Sequence, residues 1–152
     1  MEHGSISREI RIEATPEVVY EVVSRPEHLR EWWPDEAELA TSTPGSTGTV
    51  RFGHGPQAKI EVLTVVEADP PRRFAFRWVA DDGESAAPGN SLLVTFELDP
   101  AGTGTLLRFT ETGFRERGWE AATLEEAYQD HVHGWDHFLP RLVDYAAKAA
   151  TR

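Results

Sequence analysis

The chain has 152 residues, of which 39% are hydrophobic, and this mass suffices for one globular domain spanning residues 1–152. The 26 acidic and 15 basic residues give a net charge of −11, which opposes binding to nucleic-acid phosphates. Cysteine is absent, which excludes disulfides, thiolate metal sites and thiol nucleophiles. The sequence has neither a signal-peptide pattern nor the run of roughly 20 apolar residues that spans a membrane. We therefore expect a soluble, cytoplasmic protein without a nucleic-acid partner, as a monomer or as a homodimer formed through an edge strand.

The first segment predicts one strand and two short helices. Residues 6–13 alternate between apolar and polar side chains, which is typical of a half-buried strand. Thr15 as N-cap and Pro16 at the first helical position predict a helix that ends near Ser24. Ser24 and Glu27 have the spacing of a capping box, so a second short helix should begin at Ser24.

From Glu36 to Phe114, turn-forming Gly, Pro and Asp residues recur at short intervals, which is typical of about six antiparallel strands. Alternation within three of these strands predicts an apolar sheet face made of Phe74, Phe76, Trp78, Leu92, Val94, Phe96, Leu98, Leu107 and Phe109. The opposite face should carry Arg73, Arg77, Glu97 and Arg108. Residues 59–67 are rich in valine, and their inward face is not defined by alternation.

Residues 124–149 predict one long amphipathic helix. Its apolar stripe, within about 80° of Trp135, includes the histidine His131, whereas the charged residues and His133 and His137 lie on the other side. So wide a stripe needs a large apolar partner, and the preceding strands supply one. The order of elements predicts an α+β fold, in which a curved antiparallel β-sheet of about 6–7 strands grips a long C-terminal α-helix, with two short helices between strands 1 and 2.

This arrangement resembles the START/SRPBCC superfamily, the birch-pollen-allergen-like helix-grip proteins, and within it the AHSA-type branch named after the activator of the heat-shock protein 90 ATPase. The resemblance covers nearly the whole chain and depends on the order and spacing of several segments. These segments are Arg8–Tyr20, Pro26–Pro34, Asp69–Trp78, Gly104–Leu107 and the pair Gly134 and Trp135.

The resemblance implies a cavity between sheet and helix that holds a small hydrophobic molecule. It does not fix a reaction, because the superfamily contains binders, transfer proteins, cyclases and proteins without known activity. Members that activate the chaperone ATPase carry a further N-terminal domain, which is not expected here, so that activity is not carried over.

Aromatic and polar residues with inward phase are the candidate ligand contacts. They are Trp32, Trp33, Phe52, His54, Phe76, Trp78, Phe96, Phe109, Glu111, Tyr128, His131 and Trp135. Most of these aromatic side chains could equally be ordinary core, since aromatic residues dominate protein interiors.

His131 is the sharpest candidate, because a histidine in an apolar stripe needs a hydrogen-bond partner when it is buried. It could be a satisfied core histidine, a polar anchor for a ligand, or a general acid or base. Glu111, His54 and Tyr128 are its possible companions, and a Glu111–His131 pair could move a proton. Sequence spacing does not show that these residues meet.

Other chemistry finds little support. His133 and His137 have zinc-ligand spacing, but their helical phase places them on a solvated face, and we expect neither a metal nor a cofactor. The glycines match neither a nucleotide-binding loop nor a serine-hydrolase elbow. Our leading hypothesis is therefore a non-catalytic binder of a small lipid, polyketide or aromatic molecule. One alternative is a cyclase- or hydrolase-like enzyme that uses His131 with Glu111 or His54, and another is a chaperone-related interaction module.

Overall fold

Seven antiparallel strands form one curved sheet in the computed structural model, which describes residues 4–81 and 84–151. The strands are β1 (Ser5–Ile12), β2 (Glu36–Leu39), β3 (Thr47–Phe52), β4 (Lys59–Asp69), β5 (Arg73–Trp78), β6 (Leu92–Ala101) and β7 (Gly104–Thr112). The helices are α1 (Pro16–Ser24), α2 (Pro26–Trp32) and α3 (Ala121–Ala150), with short 3-10 turns at Gly55–Gln57 and Arg115–Arg117. The predicted helix-grip fold is confirmed.

The sheet order is β1-β7-β6-β5-β4-β3-β2, so the first and second strands lie at opposite edges. Hairpin connections join β2 through β7 in sequence order, and β1 pairs with β7 along its whole length, from Ser5 opposite Thr112 to Ile12 opposite Thr105. The connection through α1 and α2 therefore crosses the sheet from one edge to the other. This crossing, together with α3, covers the apolar face.

Local sequence signals explain the two short helices, with one correction. Thr15 caps α1, since its side-chain oxygen accepts a hydrogen bond from the Val18 amide at 3.4 Å. The predicted capping box at Ser24 is wrong, because Ser24 is the last residue of α1 and its hydroxyl donates to the Tyr20 carbonyl at 2.6 Å. Arg25 occupies the N-cap of α2 instead, without a side-chain cap.

The two faces of the sheet have the predicted chemistry. Phe74, Phe76, Trp78, Leu92, Val94, Phe96, Leu98, Leu107 and Phe109 are all buried between the sheet and the helices. On the outer face, Arg73 forms ion pairs with Glu67 at 2.8 Å and with Glu97 at 2.6 Å. These pairs are partly exposed, and the free energy of folding therefore depends mainly on the buried face.

Strand β4 shows why residues 59–67 had no readable phase. Its register against β5 shifts between Val65 and Glu67, so that one extra residue, Val66, interrupts the alternation. The strand also carries aliphatic side chains on both faces: Leu63 and Val65 are buried, whereas Ile60 is 61% exposed. A simple period of two cannot describe such a segment.

The phenol of Tyr20 supports a prediction about stability. Its ring packs edge-on against Phe74 with centroids 6.0 Å apart, and its hydroxyl is buried without a hydrogen-bond partner in the described part of the chain. Phenylalanine would keep the ring contact and remove the unpaired hydroxyl. We expect Tyr20→Phe to raise the free energy of unfolding by about 1 kcal/mol in urea titrations. Tyr145→Phe is the control and should be destabilising, since the Tyr145 hydroxyl bonds the His28 ring at 2.8 Å.

The pH dependence of the free energy of unfolding, compared between the wild type and Tyr20→Phe, gives a second test. Burial, and then the nearby charges of Asp69 and Glu67, raise the pKa of Tyr20 above its ordinary value. The native state therefore holds this proton more tightly than the unfolded state, and its stabilising effect is lost as the pH rises above about 10. Tyr20→Phe should lose less stability over that range. Equal losses of stability in the wild type and in Tyr20→Phe at alkaline pH would contradict the raised pKa of Tyr20.

Candidate functional site

The inner face of α3 lies over strands β5 to β7 and places a tryptophan against the sheet. Trp135 is 2% exposed, and its ring packs on Phe109 with centroids 4.6 Å apart. The predicted stripe continues along the helix through Leu139, Leu142 and Ala146, all of which are buried. His131 lies one turn before Trp135 and is therefore held over the same region of the sheet.

The central feature of the site is a fully buried carboxylate, that of Glu111 on β7. One of its oxygens, Oε1, accepts hydrogen bonds from the Trp135 indole at 2.8 Å and meets His131 Nδ1 at 2.7 Å. The other oxygen, Oε2, accepts a hydrogen bond from the Trp78 indole on β5 at 2.7 Å. The carboxylate thus connects two strands to the long helix. It also places Glu111 in contact with His131, which sequence spacing alone does not show.

The two indole donors around this carboxylate restrict which of its atoms accept hydrogen bonds. An indole N–H can only donate, so both oxygens of Glu111 act as acceptors. When the carboxylate is ionised, His131 Nδ1 carries the proton of its contact with Oε1. In a neutral imidazole this leaves Nε2 as an acceptor, and no hydrogen bond reaches that atom from residues 4–81 or 84–151.

A cavity of about 210 Å³ lies beside this network, between α3 and the strands β3 to β5. Its lining residues are Trp33, Phe52, Lys59, Glu61, Trp78, Val79, Asp130, His131, Gly134, Trp135 and Phe138. The indole of Trp33 is part of the wall and packs against the other two indoles, with ring centroids 5.0 Å from Trp78 and 5.2 Å from Trp135. The cavity therefore has aromatic walls and a charged rim.

The imidazole of His131 is held in a fixed orientation on this wall. Its ring packs edge-on against Trp78 at 5.5 Å and against Phe114 at 5.4 Å, and only 14% of the side chain is exposed. The contact of Nδ1 with Glu111 and these two ring contacts together favour one orientation of the imidazole. Such a ring needs little reorganisation to meet a ligand.

The predicted contact residues fall into three groups. Trp33, Phe52, Trp78, His131 and Trp135 line the cavity, and Glu111 lies directly behind its wall. Trp32, Phe76, Phe96 and Phe109 lie in the hydrophobic core instead, where the Trp32 indole donates to the Val22 carbonyl at 3.0 Å.

The remaining two predicted contacts lie away from the cavity. His54 is exposed in the turn after β3, where its ring nitrogen lies 3.2 Å from Arg51 Nη1. Its inward phase was lost because β3 ends at Phe52 and Gly53, with φ of +86°, redirects the chain. Tyr128 packs against Phe114 and donates its hydroxyl to the Ser5 carbonyl at 2.9 Å.

Six cavity residues lie outside the set of candidate contacts that the sequence predicts. Among them, Phe138 has a helical phase within about 80° of Trp135, which by itself indicates an inward position. Lys59 and Glu61 belong to the strand whose phase was unreadable, while Gly134 and Asp130 flank the stripe. Val79 has a φ of +56°, which is rare for a β-branched residue and has no signal in the sequence.

The outer face of α3 carries the two histidines with zinc-like spacing. His133 and His137 are exposed, as the helical phase predicts. Within residues 4–81 and 84–151 no three potential metal ligands cluster. In that same part of the chain, none of the helices has the length and apolar character needed to cross a membrane.

Comparisons with known proteins agree with this architecture. A structure from Nitrosomonas europaea matches with a TM-score of 0.78 at 14% identity, covering 100% of this chain and 99% of that one. One from Mesorhizobium loti gives 0.75 at 20% identity, covering 95% and 97%. The Aha1 dimer from Colwellia psychrerythraea gives 0.66 at 21% identity, covering 94% and 96%. No curated protein matches the chain.

The family assignment depends on the sequence as well as the fold. The family model described as activator of Hsp90 ATPase homolog 1-like protein matches residues 13–147, which include α1, the strands β2 to β7 and nearly all of α3. The chain therefore belongs to the activator of Hsp90 ATPase homolog 1-like family, within the SRPBCC superfamily.

Proposed function

We propose that the protein binds a small, largely apolar aromatic molecule in the cavity between the sheet and α3. The observation that carries this proposal is the cavity itself, whose walls are formed by three indoles and two phenyl rings beside a single histidine. Ligand sites are typically apolar pockets with a few fixed polar groups, and this cavity has that composition.

The cavity volume narrows the range of ligands. About 210 Å³ exceeds the roughly 150 Å³ that suffices for benzene, but it is smaller than the roughly 300–1,000 Å³ of sites for drug-sized ligands. A molecule with one or two rings fits these limits. A long-chain lipid or an extended polyketide would project far beyond the rim.

A titration with NMR detection tests the proposal. Naphthalene, indole, a monoterpene and a medium-chain fatty acid are added in turn to ¹⁵N-labelled protein. We expect the compounds with one or two rings to shift the indole N–H resonances of Trp33, Trp78 and Trp135. The indole of Trp119 should stay unchanged, because it packs with Arg117 and does not line the cavity. If no compound moved the three cavity indoles, the proposal would be refuted.

The contact between Glu111 and His131 favours proton transfer as a second candidate function. A carboxylate that holds Nδ1 and orients the ring, as this one does at 2.7 Å, is the usual partner of a histidine base. Hydrogen–deuterium exchange of acidic C–H groups in bound ligands, compared between the wild type and His131→Phe, tests this hypothesis. The chaperone-related alternative stays a prediction, since the cavity does not bear on it.

A further inference from the structure

We propose that the ligand carries a neutral hydroxyl group, of the phenol type, which donates a hydrogen bond to His131 Nε2. This inference rests on the proposed function, since it concerns the ligand of the same cavity. It goes beyond that function because it assigns the chemical group that the site selects and the atom that selects it.

The carboxylate of Glu111 is fully engaged within the buried network. Both oxygens of Glu111 are occupied by the indoles of Trp78 and Trp135 and by His131 Nδ1, so the carboxylate has no direct role toward a ligand. Its effect is transmitted through the imidazole. In the neutral tautomer that protonates Nδ1, Nε2 is the acceptor that His131 offers to the cavity it lines.

The surroundings of the cavity are predominantly negative. Glu61 and Asp130 lie at the rim with one lysine, Lys59, and the carboxylate of Glu111 lies behind the wall. The protein as a whole has a net charge of −11. An anionic ligand such as an aromatic carboxylate would therefore enter against a negative potential. A neutral donor group avoids this repulsion.

An apolar ligand in the cavity would desolvate the His131 ring. The ring packs against Trp78 and Phe114 and lines the cavity, so such a ligand would shield Nε2 from solvent. An acceptor that loses water without gaining a donor weakens binding, whereas a hydroxyl in the same place restores the hydrogen bond. The site should therefore discriminate between ligands of the same size by that one group.

Matched ligands test this inference. The affinities of 2-naphthol, naphthalene, 2-methoxynaphthalene and 2-naphthoate are measured by NMR titration for the wild type, for His131→Phe and for His133→Phe. His133 is the matched control, because it lies on the same helix but on the exposed face. We expect the wild type to bind 2-naphthol about 5- to 10-fold more tightly than the other three compounds, which is the range that one hydrogen bond supplies. His131→Phe should reduce the preference over naphthalene and 2-methoxynaphthalene to less than twofold, whereas the preference over 2-naphthoate should remain because the negative charges at the rim remain. His133→Phe should retain all three preferences.

A second measurement needs no variant. Long-range ¹H–¹⁵N spectra of the histidine rings should show His131 with its proton on Nδ1, and the Nε2 resonance should shift with 2-naphthol but not with naphthalene. Equal binding of naphthalene and 2-naphthol would overturn the inference while leaving the proposed function intact. Tight binding of 2-methoxynaphthalene would also overturn it, since an ether cannot donate. If none of the compounds bound, the proposed function and this inference would both fail.

Discussion

Replacing Glu111 with alanine should lower the free energy of unfolding by about 4 kcal/mol, the largest effect that we expect from one substitution in this chain. The change would leave the indoles of Trp78 and Trp135 and His131 Nδ1 without their partner at a fully buried position. Each buried donor that loses its partner costs about 1–3 kcal/mol. Denaturation in urea, followed by tryptophan fluorescence, measures the difference.

Two further variants distinguish the loss of the buried hydrogen bonds from the loss of a negative charge alone. Glu111→Gln keeps one acceptor oxygen but places an amide N–H against a donor, so we expect an intermediate loss of about 2 kcal/mol. Glu97→Gln removes an ion pair with Arg73 on the outer face, where the side chain of Glu97 is 44% exposed, and should cost less than about 1 kcal/mol. Equal losses for Glu111→Ala and Glu97→Gln would contradict the network.

Replacing Gly134 with leucine should weaken ligand binding at least tenfold without unfolding the protein. Gly134 lies in the middle of α3 and lines the cavity, and a Cβ atom built there meets no other heavy atom within 4 Å. A leucine side chain would therefore extend into the space that we assign to the ligand. Removing a glycine from a helix interior also stabilises the helix by about 0.5–1 kcal/mol, so a loss of binding would not reflect misfolding.

Gly134→Ala is the matched control for that experiment. Its methyl group occupies little of the cavity, so its affinity should stay within about threefold of the wild type, and its thermal midpoint should rise as in the leucine variant. Affinities are measured with 2-naphthol by calorimetry or NMR, and midpoints by circular dichroism. Wild-type affinity in Gly134→Leu would show that the ligand binds elsewhere.

The sequence predicted the fold well where one face of an element is apolar. The phases of β5, β6 and β7 and of α3 were readable, because each buries one face and exposes the other. The phase of β4 was not, since Val66 forms a bulge and both faces carry aliphatic side chains. The Ser24 capping box failed for a local reason, because the first helix continues through that residue.

The candidate site was less predictable, because it depends on distances across the sheet. Helical phase placed His131 and Trp135 on the inner face, and strand phase did the same for Glu111, but no pattern in the sequence shows that their side chains share one carboxylate. Trp32 and Trp33 are neighbours that both lie in the hydrophobic core, yet Trp33 lines the cavity and Trp32 does not. Adjacent residues at the end of a short helix diverge in ways that composition cannot show.

The shared carboxylate also constrains the route by which a ligand enters. Lifting α3 from the sheet would pull Trp135 and His131 away from Glu111 and leave a charge in an apolar interior, which is costly. The helix should therefore stay seated during binding and release. We expect the ligand proposed above to exchange through the rim between α3 and β4, past Asp130, Lys59 and Glu61. This route requires side-chain rotations at the opening and leaves the helix in place.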